Sequence, residues 1–192
     1  MKPNIPYQLV LASKSPRRQM LLRQLDWTFE IITQDTDESY PKNLAVADVP
    51  TYIASQKAAA VLPKITKNQL IIAADTIVAL DNTIYGKPKD AEDAFRILQQ
   101  LSGKKHEVIT GVCLRTQTTQ HCFASTTSVF FKTLTDQQIQ YYIKKFEPYD
   151  KAGAYAIQEW IGMIGIEKIE GCYFNVMGLP LSCLYHELST FC

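Results

Sequence analysis

Several protein classes are excluded by what this 192-residue chain lacks. No stretch approaches the ~18 consecutive apolar residues of a membrane span. The apolar run near the start, Leu9 to Ala12, is too short for a secretory leader. Both absences predict a cytoplasmic protein with no membrane partner. An excess of one charge is also missing: 20 Lys and Arg stand against 19 Asp and Glu, a net of +1. Without a basic field, no nucleic-acid partner is expected, and any anion site must be local. The five cysteines (Cys113, Cys122, Cys172, Cys183 and Cys192) are odd in number and far apart, with no Cys-x-x-Cys. His106, His121 and His186 make no metal-ligand spacing. A disulfide scaffold and a zinc site are therefore disfavoured, and small buried thiols in a reducing compartment fit better. Neither a Gly-x-Gly-x-x-Gly fingerprint nor a Gly-rich run ending in Gly-Lys-Ser/Thr occurs. Repeats, low-complexity tracts and Gly/Ser linkers are absent as well, so one domain over 1–192 is expected.

The most informative segment present is Leu9-Val10-Leu11-Ala12-Ser13-Lys14-Ser15-Pro16-Arg17-Arg18. Strand-forming residues run into a Ser-rich turn, and a helix pattern with Met20, Leu21, Leu22 and Leu25 on its apolar face follows. Ser15 suits the N-cap and Pro16 the first turn. A helix N-terminus favours anions, so Arg17 and Arg18 oppose the macrodipole unless an anion sits there. The pattern reads as a phosphate site; the plainer reading is two solvated arginines on an ordinary capped helix.

Further along, Phe29 to Thr33 reads as a short strand and Asp48 to Leu62 as an Ala-rich helix. Gln69 to Leu80 reads as a buried strand. Asp81-Asn82 makes a turn into Thr83-Ile84-Tyr85, and Gly86-Lys87-Pro88 breaks the pattern. Asp90 caps a helix ending at Leu101, and Val108–Thr116 with Cys122–Phe131 predict a hairpin. Thr135 with Gln138 predicts a capping box for a helix to Phe146. After an irregular stretch over 147–159, Met163 to Ile169 reads as a strand and Leu181 to Ser189 as a helix. The fold class is α/β with a mixed sheet.

One charge interrupts the apolar run of Gln69 to Leu80, and it is Asp75. A buried carboxylate is costly unless it is paired, ligates a metal or faces a cleft. It reads either as a structural ion pair with an arginine or as a metal ligand or general base, with Thr76 beside it. Asp35, Asp37 and Glu38 form an acidic cluster that suits a hard cation such as Mg²⁺, or a solvated loop. Lys57 and Lys87 are unremarkable singly, although Gly86 and Pro88 pin Lys87 in a rigid turn. Arginines at a helix start, lysines and two carboxylate sites together suit a polyphosphate with a divalent metal. Nothing suggests a covalent nucleophile, which leaves activated water as the attacker.

The blocks Leu11–Arg18, Ala74-Asp75-Thr76-Ile77-Val78, Gly86-Lys87-Pro88, Asp150–Gln158 and Ile169–Leu181 resemble the Maf family, in family order and over nearly the whole chain. The resemblance implies a cytoplasmic nucleoside triphosphate pyrophosphatase that yields a nucleoside monophosphate and pyrophosphate. It further implies a divalent metal (Mg or Mn), an ITPase-like α/β fold with flanking helices and two lobes around a deep cleft, and often a homodimer. On this resemblance Asp75 is the active-site acid, with Glu38 and Asp75 toward the metal. Ser13, Arg17, Lys57 and Lys87 fall around the phosphates, and Arg18, Thr76 and Gln158 on base choice. That trio is similar to the branch acting on dTTP and UTP. The alternatives are a pyrophosphatase for 7-methyl-GTP or modified nucleotides, and a nucleotide-sensing inhibitor of septum formation. The sequence departs from many members at Glu159-Trp160, where Gly-Leu is common.

Overall fold

The computed structural model describes residues 5–191; Cys192 lies outside them. Seven strands form one mixed sheet: β1 (Gln8–Leu11), β2 (Phe29–Ile31), β3 (Gln69–Leu80), β4 (Thr83–Tyr85), β5 (Lys105–Arg115), β6 (Gln120–Phe131) and β7 (Ile166–Glu170). Their order is β2-β1-β3-β5-β6-β7, with β4 paired to β3. The helices are α1 (Pro16–Gln24), α2 (Val49–Val61), α3 (Ala91–Leu101), α4 (Asp136–Phe146), α5 (Trp160–Gly165), α6 (Tyr173–Val176) and α7 (Leu181–Thr190).

The strand predicted to be buried has the bounds of β3, and every residue in it except Thr76 is buried. Such continuous burial requires an apolar run and makes Asp75 the exception to be explained. Asp90 caps α3 by accepting the Asp93 N–H at 2.8 Å, and Thr135 with Gln138 forms the expected capping box on α4. Asp81 and Asn82 both take positive φ in the tight turn into β4, which their short polar side chains tolerate.

Three expectations need correction. Met163 to Ile169 is not one strand: α5 occupies its first half, and β7 begins only at Ile166. The Gly162 and Met163 N–H groups both turn back to the Glu159 carbonyl, so local helical bonding overrides the apolar pattern. Ser15 stands at the N-cap of α1 with extended backbone, but its side chain makes no capping bond. Instead the Ser15 N–H donates to Ser13 Oγ at 3.2 Å. The strand expected over Phe29 to Thr33 is β2, which ends at Ile31.

The chain divides into two compact units, with breaks after Asp75 in β3, after Ile109 in β5, after Ser125 in β6 and after Met177. The first unit takes the chain up to Asp75, Thr110–Ser125 and the chain from Gly178 onward. Its core joins Val10, Ala12, Ile71, Ala73 and Cys113 of the sheet region to Ala54, Ala58 and Val61 of α2. Small residues let α2 lie close to the sheet, and Gly111 of β5 admits its first turn. A Cβ at Gly111 would fall 2.2 Å from the Thr51 nitrogen.

The second unit, Thr76–Ile109 with Thr126–Met177, packs α3 and α4 around Val78, Val108, Val129 and Phe131. Within it, Gly153 adopts φ +70°, and a Cβ there would fall 2.7 Å from Val78 Cγ2. Only glycine fits that position without strain.

Candidate active site

In the first unit β1 pairs in parallel with β2 on one side and with β3 on the other. The connection through α1 leads to one neighbour and the connection through α2 to the other, so the chain changes direction at β1. In open α/β sheets ligands bind beyond the carboxyl ends of the strands at such a switch point. Leu11, the last residue of β1, pairs with Ile72, and the Ala12 N–H still reaches the Ile72 carbonyl at 2.9 Å. Ser13 therefore stands just past the end of β1, and Asp75 lies on β3 beyond the paired region.

Asp75 is nearly buried, with its side chain 13% exposed, and Lys57 answers its charge: Nζ lies 2.7 Å from Oδ1. The same Nζ lies 2.7 Å from Glu38 Oε1. Lys57 reaches both because it sits on α2 between Ala54 and Ala58, which anchor the helix in the core. Its stem is covered while its ammonium meets the two carboxylates. The remaining acids of the 35–38 cluster are engaged elsewhere. Asp35 pairs with Lys14 at 2.6 Å, and Asp37 accepts from the Ser39 N–H and hydroxyl. Only Glu38 among them is brought to Lys57.

Arg18 lies on the first turn of α1. Its Nε donates to the Gly178 carbonyl at 2.8 Å and its Nη1 to Ser13 Oγ at 3.4 Å. Burial lowers its pKa from the usual value; the charges of Asp75 and Glu38 resist the shift, and Arg17 adds to it. The guanidinium keeps its charge regardless. Arg17 and Arg18 thus place two cations at the start of a helix that has no side-chain cap and no acidic residue in its first turn. A dianionic phosphate would relieve that concentration of positive charge. Ser13, Arg17, Arg18, Glu38, Lys57 and Asp75 all belong to this unit.

Thr76, Lys87 and Gln158 belong to the second. Lys87 follows Gly86, whose carbonyl accepts the Gly153 N–H at 3.1 Å. That bond ties the Gly86-Lys87-Pro88 turn to the irregular segment before Gln158. Gln158 Oε1 is buried and has no hydrogen-bond partner, so a donor is called for there. The next residue, Glu159, accepts a short hydrogen bond from the Tyr142 hydroxyl and lies 3.5 Å from the buried Lys151 ammonium. Tyr142 in turn accepts the Ala156 N–H at 3.2 Å, and Trp160 packs edge-on against Tyr141 at 4.8 Å. The unusual Glu159-Trp160 pair therefore fastens the Gln158 segment to α4. No local pattern marks Tyr142, Lys151 and Gly178 as partners; their separations in sequence run to 160 residues.

Among the described residues no group of three or more His, Cys, Asp or Glu side chains is placed to hold a metal ion. Two carboxylates do converge. Glu38 Oε1 and Asp75 Oδ1 touch one ammonium, so they stand no more than twice 2.7 Å apart. Hard oxygen donors of that number fit Mg²⁺ or Mn²⁺, which take one or two protein carboxylates and complete their shell with phosphate and water.

An α/β unit with carboxylates, a lysine and arginines at its switch point is the frame of a phosphate-handling enzyme. The model of the family described as "Maf-like protein" matches residues 8–191, and the chain belongs to that family. Relatives named dTTP/UTP pyrophosphatase include one from Phocaeicola vulgatus, 51% identical over 183 residues, covering 95% of each chain. Another, from Parabacteroides distasonis, is 48% identical over 186 residues and covers 96% of each. A third, from Flavobacterium johnsoniae, is 46% identical over 184 residues, 96% of this chain and 95% of that one. Among solved structures, the Staphylococcus aureus Ham1 protein is 16% identical with a TM-score of 0.46, covering 65% of this chain and 71% of that chain. Among the described residues no helix is long and apolar enough to cross a membrane.

Proposed function

We propose that the chain hydrolyses dTTP and UTP to the nucleoside monophosphate and pyrophosphate. The observation that carries this reading is the Glu38–Lys57–Asp75 cluster beside the Arg17-Arg18 helix start, in a chain half identical to dTTP/UTP pyrophosphatases. Water attacks the α-phosphorus, the bond from that phosphorus to the oxygen bridging to the β-phosphate breaks, and pyrophosphate leaves. Asp75 takes the proton of the attacking water; its nearly buried position beside Lys57 fixes the acceptor oxygen. Arg17 and Ser13, with Lys57 and Lys87, bind phosphate oxygens and offset the charge that gathers on the leaving group. Glu38 and Asp75 would hold a divalent cation, which supplies electrostatic stabilisation of the phosphates when bound. Thr76 and Gln158 set base choice, with Arg18 held by Ser13 and Gly178 so that it supports the phosphate turn or the base.

A pyrophosphate-release assay over a panel of nucleoside triphosphates, with Mg²⁺ or Mn²⁺, tests the proposal. Pyrophosphate and the monophosphate are expected, fastest from dTTP and UTP. Orthophosphate and a diphosphate as products would overturn the reaction class. A preference for 7-methyl-GTP would overturn only the substrate. Homodimerisation and a cytoplasmic location belong to the same proposal, and sedimentation of the purified chain tests the first.

A further inference from the structure

The hairpin of β5 and β6 carries two thiols that the hydrolytic reaction does not use. At its turn the Thr116 N–H donates to the Thr119 carbonyl at 2.9 Å, and Thr116 Oγ1 takes the Thr118 and Thr119 N–H groups. At the other end the Phe131 N–H donates to the Lys104 carbonyl at 3.0 Å. Both ends specify one register, in which Cys113 stands directly opposite Cys122. The Thr116 N–H bond to the Thr119 carbonyl and, twelve residues back on the β5 side, the Phe131 N–H bond to the Lys104 carbonyl both mark hydrogen-bonded positions of the ladder, and antiparallel pairs alternate in type. Cys113, three residues before Thr116, therefore falls on a non-hydrogen-bonded pair. Cα atoms of such pairs are about 4.5 Å apart, inside the range a disulfide spans, and directly opposed side chains share one face.

The two thiols differ in setting. Cys113 is fully buried in the core beneath α2, while Cys122 packs at the edge of that core and is half-buried. Gln120 Nε2 donates to Cys122 Sγ at 3.6 Å, and Arg115 and His121 add positive charge or its potential nearby. His121 itself pairs with Glu187 at 2.7 Å. A hydrogen bond from Cys113, opposed in part by burial and helped by Gln120, His121 and Arg115, lowers the Cys122 thiol to about 7. The same hydrogen bond, with burial, raises the pKa of Cys113. One sulfur is thus an accessible nucleophile and the other a protected resolving thiol, the division of labour of a reversible dithiol.

We infer that Cys113 and Cys122 form a reversible cross-strand disulfide, a redox modification site beneath the helix that carries Lys57. A low-molecular-weight disulfide of the glutathione type is the oxidant. The Cys122 thiolate attacks one of its sulfurs, forming a mixed disulfide and releasing one thiolate, which takes up a proton. Cys113 then attacks Cys122 Sγ, its own proton leaving with the second small thiol. Two protein thiols are oxidised to one disulfide, and one small disulfide is reduced to two thiols. The bond would staple β5 to β6 under Ala54 and Ala58, the residues that seat α2.

The test is incubation of the full chain with glutathione disulfide, followed by thiol counting and non-reducing peptide mapping. Expected are the loss of two thiols, a Cys113–Cys122 cross-linked peptide and full reversal by dithiothreitol. In Cys113→Ser, which lacks the resolving thiol, a glutathione adduct should instead accumulate on Cys122. A wild-type adduct that persists on Cys122 with Cys113 still reduced would overturn the inference. Thiol loss that maps to Cys172 or Cys183 would overturn it as well. The wild-type map decides the matter even if Cys113→Ser folds poorly, and neither readout depends on hydrolytic activity.

Discussion

Lys57 and Asp75 meet at 2.7 Å near the carboxyl end of the parallel strands, with Glu38 on the same ammonium. One cation is thereby shared by two acids, and α2 and β3 are tied together at the switch point of the sheet. Removing Lys57 would leave Glu38 and the nearly buried Asp75 without the cation they share, so variants here must be read for stability as well as rate.

Asp75→Asn keeps the size of the side chain but removes the proton acceptor and weakens any metal ligation. Turnover is expected to fall by ~10²–10⁴-fold, the usual contribution of a general base. Far-UV circular dichroism should remain native. A folded, fully active variant would remove Asp75 from the mechanism, whereas an unfolded one would make the ion pair with Lys57 primarily structural.

Chelation should abolish pyrophosphate release, and Mg²⁺ or Mn²⁺ should restore it. Because Glu38 is one of only two converging carboxylates, Glu38→Gln should raise the metal concentration for half-maximal rate by about tenfold or more. A rate that does not change with chelator would refute the metal role of both acids.

Gln158 presents a buried oxygen with no partner, and its amide offers both donor and acceptor to a pyrimidine edge. Gln158→Ala is expected to erode the ratio of dTTP to dGTP rates more than the rate on dTTP itself. Glu159→Ala, which loosens the tether to Tyr142 and Lys151, should move the ratio in the same direction by less. Equal losses on every nucleotide would show that the segment serves the scaffold or the phosphates.

His106 is buried, with Nε2 2.8 Å from the Tyr155 hydroxyl, Phe131 edge-on at 4.9 Å and Nδ1 without a partner. Burial lowers its pKa from 6.5 to about 4. Above pH 6.5 both folded and unfolded chains hold it neutral, and no stability is lost. As the pH falls from there toward about 4, the unfolded chain gains a proton that the folded chain refuses, which costs up to about 3 kcal/mol. Urea midpoints measured across that window should fall, and His106→Phe should flatten the fall. An unchanged slope in the variant would assign acid sensitivity to other groups.

Gly153→Ala places a Cβ 2.7 Å from Val78 Cγ2 on backbone of φ +70°. Destabilisation of about 2 kcal/mol or more is expected, with Val78→Ala partly relieving it in the double variant. Simple additivity of the two in thermal melts would show that the two positions do not clash.

The sequence by itself determined the mixed α/β class, the bounds of β3 and α3, the α4 capping box and the family. Those features are written in short-range terms: apolar period, cap residues three apart, turn chemistry, ordered motif blocks. It also singled out Asp75, since a lone charge in an apolar strand is visible without coordinates. It failed where bonding between neighbours beat pattern, as in α5, where N–H groups close on Glu159 and displace the expected strand. Only tertiary structure decided which of Asp35, Asp37 and Glu38 meets Lys57, because α2 brings the ammonium to a loop nineteen residues earlier. The holding of Arg18 by Gly178, the fastening of Glu159 by Tyr142 and Lys151, and the facing of Cys113 by Cys122 arose the same way. Each depends on sheet order, register or helix seating, and these are set by burial of the whole core, which no single stretch of sequence encodes.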